Sequence, residues 1–228
     1  METYESGKVP HLAPFEDDMF LNTERRCPVV LLLDTSASMR HHMDIVNRGL
    51  HDLKADLQQD ALASQRVEVM ILTFGPVRVV QDFVTVDRWM VPRLYARGET
   101  PMGEALQQAV HEIRLRKDAY REAGLPYYRP WIWLVTDGDP TDDVTLGVKQ
   151  VREEVNRGGL EMFTIGTDHA NFKLLRTISA PRPPVKLLEA KYREMFVWLS
   201  QSLKPVSKSE PGGTLELEEP TGWGKVQL

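Results

Sequence analysis

Cysteine is nearly absent. Cys27 is the only one in 228 residues, which excludes an intramolecular disulfide and any cysteine-rich zinc site. Long apolar runs are missing too. The longest, Pro28 to Leu33, falls far short of the ~20 residues a membrane-spanning helix needs. Positive charge is in deficit. Lys and Arg number 28 against 33 Asp and Glu, a formal net charge of −5. A general nucleic-acid binder needs a basic face, so no nucleic-acid partner is expected. The stretch METYESGKVPHLAPFEDD is acidic, without the basic start and apolar segment of a secretion signal. A cytoplasmic location without a membrane partner is the expectation. Several catalytic signatures are also absent: Gly-x-x-x-x-Gly-Lys-Ser/Thr, Gly-x-Ser-x-Gly and His-Glu-x-x-His.

What is present reads as one globular domain with tails. The chain is 42% hydrophobic and 27% charged, an ordinary balance for a domain that buries roughly 70–75% of its unfolded surface. Cys27–Leu33 is a short continuous apolar run, the pattern of a strand buried on both faces. Val46, Leu50, Leu53 and Leu57 then recur at helical steps. Arg66–Phe74 and Val77–Val86 read as strands joined at Gly75-Pro76, an antiparallel hairpin with the second strand at the sheet edge. Thr100 as N-cap and Pro101 as first helical residue open a helix marked by Met102, Leu106, Ala109, Ile113 and Tyr120. Strands follow at Trp131–Thr136, Leu160–Gly166 and Val185–Leu188. Helices follow along Val144–Val155, Asn171–Ser179 and Ala190–Leu203. This alternation predicts an α/β fold: a doubly wound, mostly parallel six-stranded sheet with one antiparallel edge strand and helices on both faces. Residues 1–26 read as an N-terminal arm and 27–203 as the domain. Residues 204–228 read as a tail, disordered by composition or, given Trp223, packed on the domain.

In an open α/β sheet, ligands bind beyond the carboxyl ends of the strands. Three polar clusters fall there: Asp34, Ser36 and Ser38 after the first strand, Thr100 at a helix start, and Asp137 after Trp131–Thr136. All are hard oxygen donors, the set that suits magnesium or manganese. Two carboxylates balance the ion's charge, and neutral hydroxyls leave it able to attract one more anion. Each fragment alone has a plainer role as a turn or a cap; together, in this order, they favour a metal site. His41 and His42 read as a solvent-facing pair. Asp139, Asp142 and Asp143 read as a rim, with Asp142 capping the helix that follows it. Tyr127, Tyr128, Trp131 and Trp133 read as core. The Arg114–Lys117 run with Arg121 reads as a solvated helix face.

The segments PVVLLLDTSASM, RGETPMGEAL and WIWLVTDGDPTD resemble a von Willebrand factor A (vWA) domain with a metal-ion-dependent adhesion site, MIDAS. The resemblance runs from about Cys27 to Leu203. RRCPVVLLLDTSASM, TPMGEAL, YYRPWIWLVTDGDPTD, FTIG and FVWLSQSLKPVSKSEPGG are most similar to the bacterial TerY-type, YegL-like group linked to tellurite resistance. Ala37 stands where that group usually has glycine. The resemblance implies a vWA, Rossmann-like fold with Asp34, Ser36, Ser38, Thr100 and Asp137 around Mg2+ or Mn2+. It implies a partner protein whose Asp or Glu carboxylate completes the metal shell, and an association with stress-response kinases and phosphatases. The function expected is therefore a metal-dependent protein-binding adaptor and not an enzyme. Two alternatives stand beside it. One is a metal-dependent phosphohydrolase with Asp34 as nucleophile, although Ser36 stands where a general acid or base is needed. The other is a metal-free scaffold.

Overall fold

The computed structural model describes residues 21–212 and 217–227. The expected arm lies outside the described residues as far as residue 20. The chain runs β1 (Cys27–Asp34), a 3-10 turn (Ala37–His41), α1 (Met43–Gln58), α2 (Ala61–Arg66), β2 (Val67–Phe74) and β3 (Arg78–Thr85). It continues through α3 (Met102–Glu122), β4 (Trp131–Thr136), α4 (Thr145–Asn156) and β5 (Glu161–Gly166). It ends with α5 (Phe172–Ser179), β6 (Val185–Leu187), α6 (Tyr192–Lys208) and β7 (Gly224–Val226).

All of β1 is buried. Side chains alternate across a strand, so Val29, Leu31 and Leu33 enter one apolar layer, and Val30 and Leu32 enter the other. A strand apolar on both sides belongs mid-sheet, and β1 pairs in parallel with β2 and with β4. The layer on one side is filled by Val46, Leu50, Leu53 and Leu57 of α1 and by Tyr192, Phe196, Leu199 and Leu203 of α6. The opposite layer takes Met102, Leu106, Ala109 and Ile113 of α3, with Val151 of α4 and Leu175 and Ile178 of α5. The fold is thus the doubly wound α/β sheet expected, and β2 and β3 form the antiparallel hairpin at one edge.

Three expectations need correction. The sheet has seven strands, in the order β3-β2-β1-β4-β5-β6-β7, where six were expected. The extra strand, β7, pairs antiparallel with β6, so both edges are antiparallel. Its three residues are too few to carry a period, and it is held by its surroundings. Trp223 is buried beside Trp133 and Trp198, and its carbonyl accepts from Leu188 N at 2.9 Å. The last helix does not stop at Leu203 but runs to Lys208, because Val206 continues the apolar face and is buried against the same layer. Finally, Arg114–Lys117 is not a solvated face. Arg116 is 5% exposed and forks onto Glu68 of β2 at 2.8 and 2.6 Å. Arg26 reaches the same carboxylate at 2.9 Å, and Tyr120 donates its hydroxyl to it. Arg116 and Tyr120 lie four residues apart, on the side of α3 that faces the sheet. No helix among the described residues is long and apolar enough to cross a membrane.

Candidate metal centre

β1 and β4 are parallel neighbours, so the loops leaving their carboxyl ends emerge side by side. The turn after β1 folds back on itself at once. Ser36 N donates to Asp34 Oδ1 at 2.8 Å, a short Asx-type turn. Ser36 Oγ and Ser38 Oγ lie 2.9 Å apart, and Ser38 Oγ donates to Asp137 Oδ1 at 2.7 Å. Four of the five expected residues therefore form one continuous hydrogen-bonded chain, joined to Asp34 through the Ser36 backbone N–H and running on through hydroxyl oxygens to Asp137. Ala37, in the glycine position of the resembling group, is exposed and is not among the residues with positive φ. An alanine fits this turn without strain.

Asp34 is fully buried. Its Oδ2 accepts from Thr136 Oγ1 at 2.6 Å, a contact that sequence reasoning did not foresee, although Thr136 adjoins Asp137. Burial pushes the Asp34 carboxyl up. The hydrogen bonds from Ser36 and Thr136 pull it back, and the charge of Asp137 adds to the rise. Tyr192 lies beneath, fully buried. Burial first, then the charges of Asp137 and Asp34, push its phenol well above the usual range. His42 is half-buried with its ring 5.4 Å from that of Tyr192, while His41 is exposed.

Thr100 is buried on the neighbouring loop, and its side chain makes no hydrogen bond to the other four among the described residues. Its backbone is what is fixed. Thr100 N donates to Thr141 Oγ1 at 3.1 Å and Thr141 N donates to Thr100 O at 2.9 Å. The same segment is sewn to the first turn, with Arg97 N on Thr35 O at 2.7 Å and Ala37 N on Gly98 O at 3.0 Å. Gly75 closes the arrangement from the β2–β3 turn. Its φ is +120°, and a Cβ there would meet Ser36 N at 2.6 Å, so only glycine fits.

Two capping expectations change. Pro101, not Thr100, is the N-cap of α3, and no side chain of its own caps it. Asp142 does so from another loop, accepting Gly103 N at 2.9 Å and Glu104 N at 2.8 Å. Asp142 thus caps the helix before it and not the one after, which Asp143 serves through Thr145 N at 2.9 Å. A cap supplied from 39 residues away leaves no local spacing to read.

The donor chemistry fits a hard divalent cation. Asp34 and Asp137 face a common chain of hydroxyls, and no Lys or Arg among the described residues pairs with either. Two carboxylates this deep lack a positive partner, which an ion would supply. Among the described residues no three His, Cys, Asp or Glu side chains gather as a metal group. An ion here would rest on two carboxylates and on the hydroxyls of Ser36, Ser38 and Thr100.

A family model described as the von Willebrand factor type A domain matches residues 29–191. No curated protein matches the chain. Among solved structures, it is similar to a von Willebrand factor type A protein from Catenulispora acidiphila (TM-score 0.60, 19% identity, covering 79% of this chain and 43% of that one). It is similar to the pilus adhesin SpaC from Lactobacillus rhamnosus GG in its open conformation (TM-score 0.62, 15% identity, 81% and 30%). It is also similar to proximal thread matrix protein 1 from the mussel byssus (TM-score 0.54, 12% identity, 79% and 48%). At these identities the likeness is one of fold, and the chain spans less than half the length of each.

Proposed function

The chain belongs to the von Willebrand factor type A domain family, and from that premise we propose that it is a protein-binding module whose grip depends on a divalent metal. Asp34, Ser36, Ser38, Thr100 and Asp137 would hold Mg2+ or Mn2+. Domains of this family are typically protein-binding adhesion or adaptor modules. The observation that carries the metal reading is the hydrogen-bonded chain from Asp34 through the Ser36 backbone N–H and the Ser36 and Ser38 hydroxyls to Asp137. When bound, the ion supplies two positive charges against two carboxylates and an open position for an anionic oxygen. This chain's residues do the rest. Asp34 and Asp137 set the charge, and Ser36, Ser38 and Thr100 add neutral oxygens that leave the ion attractive to an Asp or Glu of the partner. Thr136, Gly75 and Thr141 hold the loops in place.

Binding is preferred to hydrolysis for a stated reason. Both Asp34 oxygens already accept hydrogen bonds, the side chain is buried, and Ser36 offers no proton donor or acceptor tuned for catalysis. The resemblance of the TPMGEAL and YYRPWIWLVTDGDPTD segments supports a narrower setting. In that setting the module is cytoplasmic, works in a stress-response system of the tellurite-resistance type, and has kinase or phosphatase partners.

The test is a calorimetric titration with MgCl2. Asp34→Ala should abolish binding while circular dichroism stays native, since removing one of two facing carboxylates also relieves their repulsion. Unchanged magnesium affinity in Asp34→Ala would sink the assigned site.

A further inference from the structure

The connection from β3 to α3 is long and irregular, yet firmly placed. Trp89 within it is fully buried. Asn47 of α1 holds Leu94 at both backbone groups, with Leu94 N on Asn47 Oδ1 at 2.8 Å and Asn47 Nδ2 on Leu94 O at 2.9 Å. Three residues on, Arg97 N is fastened to Thr35 O. Between these anchors the chain alternates. Leu94 is buried and Ala96 half-buried, while Arg93, Tyr95 and Arg97 are exposed. Arg93, Leu94, Tyr95 and Arg97, together with Arg78 at the start of β3, line a hollow of about 360 Å³ whose lining also includes Thr35 and Gly75.

No acidic side chain lines that hollow. Among the described residues Arg78 and Arg97 have no carboxylate partner. Arg93 meets Asp44 at 3.1 Å, but both are largely exposed, and such pairs are weak and easily exchanged. Three guanidiniums around one space, in a chain of net charge −5, run against the overall charge. A guanidinium fork donates to both oxygens of a carboxylate at once.

We infer that this hollow is a second anion subsite of the binding face, and that the partner is an extended, Asp/Glu-rich segment of another protein. One acid of the segment meets the metal, and another a few positions along it enters the arginine hollow. For its first contact the inference rests on the metal-centred reading above. Thr35 links the two subsites. Its chain neighbours, Asp34 and Ser36, belong to the metal set, while Thr35 itself lines the hollow. An extended chain advances about 3.3 Å per residue, so acids a few positions apart reach both sides of this one turn. Tyr95, 68% exposed, offers the segment a flat face to lie on. A lone carboxylate on a metal is generic; the arginines supply the selection, and two-point attachment supplies the affinity.

The test uses the full chain and fluorescein-labelled synthetic peptides. The first has a single Asp among Gly and Ser. The second has that Asp followed by Asp-Glu-Asp-Glu, and the third has phosphoserine in place of the acidic run. Polarisation titrations are run with MgCl2 and with EDTA on the wild type, on R78Q/R97Q and on Asp34→Ala. The acid-rich peptide should bind about 10-fold or more tighter than the single-Asp peptide, a modest gain for a second, tethered point of attachment. R78Q/R97Q should reduce it to the single-Asp level. Equal binding of the acid-rich peptide by R78Q/R97Q and wild type overturns the subsite, and so does failure of the acid-rich peptide to bind. A preference for the phosphoserine peptide overturns the assigned occupant. Binding that needs the arginines but survives EDTA and Asp34→Ala upholds the subsite and fells the metal reading. Binding that needs metal and Asp34 but not the arginines does the reverse.

Discussion

Glu68 brings one negative charge into a space shared with Arg26, Arg116 and the Tyr120 hydroxyl, all closed to solvent. Removing one member of such a group strands the others without compensation. Glu68→Gln should cost about 3–5 kcal/mol of stability, read as a lower urea midpoint at unchanged slope. A loss under about 1 kcal/mol would mean that the arginines find other support. Glu68 is the second residue of β2, at the end of the sheet away from the metal loops, so magnesium affinity should not move. The sequence hides this cluster. Glu68 is the single acid in the strand VEVMILTF, and its partners lie 42 residues before it and 48 and 52 after it in the chain. Asp34, Ser36 and Ser38, by contrast, sit within one turn, so their spacing, taken together with Thr100 and Asp137, points to a common focus.

The start of α3 shows how an element can depend on a loop it does not follow. Asp142 caps it, and Gly103 lets the loop come close: a Cβ there would meet Asp143 O at 2.3 Å. Asp142→Ala should cost about 1 kcal/mol, the usual price of a lost cap, measured by thermal melting. Because Thr141, next to Asp142, fixes the Thr100 backbone, the same variant should lower magnesium affinity without removing it. Native affinity together with a native melt would show that the cap is idle. Elements with strong apolar patterns were legible from sequence. β1, β2, β4 and the helix faces were read within a few residues of their observed bounds, because burial on a sheet imposes its own period. What was not legible depends on tertiary contact: the end of α6, the origin of the α3 cap, and β7.

For the molecule as a whole, β7 and Trp223 tie the end of the chain to the centre of the sheet. The Trp223 ring lies 5.6 Å from that of Trp198 and 6.4 Å from that of Trp133, with Leu217 packed against the same layer. Trp223→Ala should therefore cost about 3–5 kcal/mol, as other buried tryptophans do. Lys225 is exposed but held in the β6–β7 ladder, so releasing the strand should let trypsin cut there under native conditions; a melt and a digestion pattern like the wild type would make the strap dispensable. The central place of β1 has a mechanical consequence. It is hydrogen-bonded along its length to β2 and from Val29 to Leu33 to β4. Tension applied at the Asp34–Ser38 turn runs along the strand axis and loads both ladders at once, in shear. An edge strand would peel open one bond at a time; β1 can yield only by breaking many together, so the turn is anchored where the sheet best resists a pull.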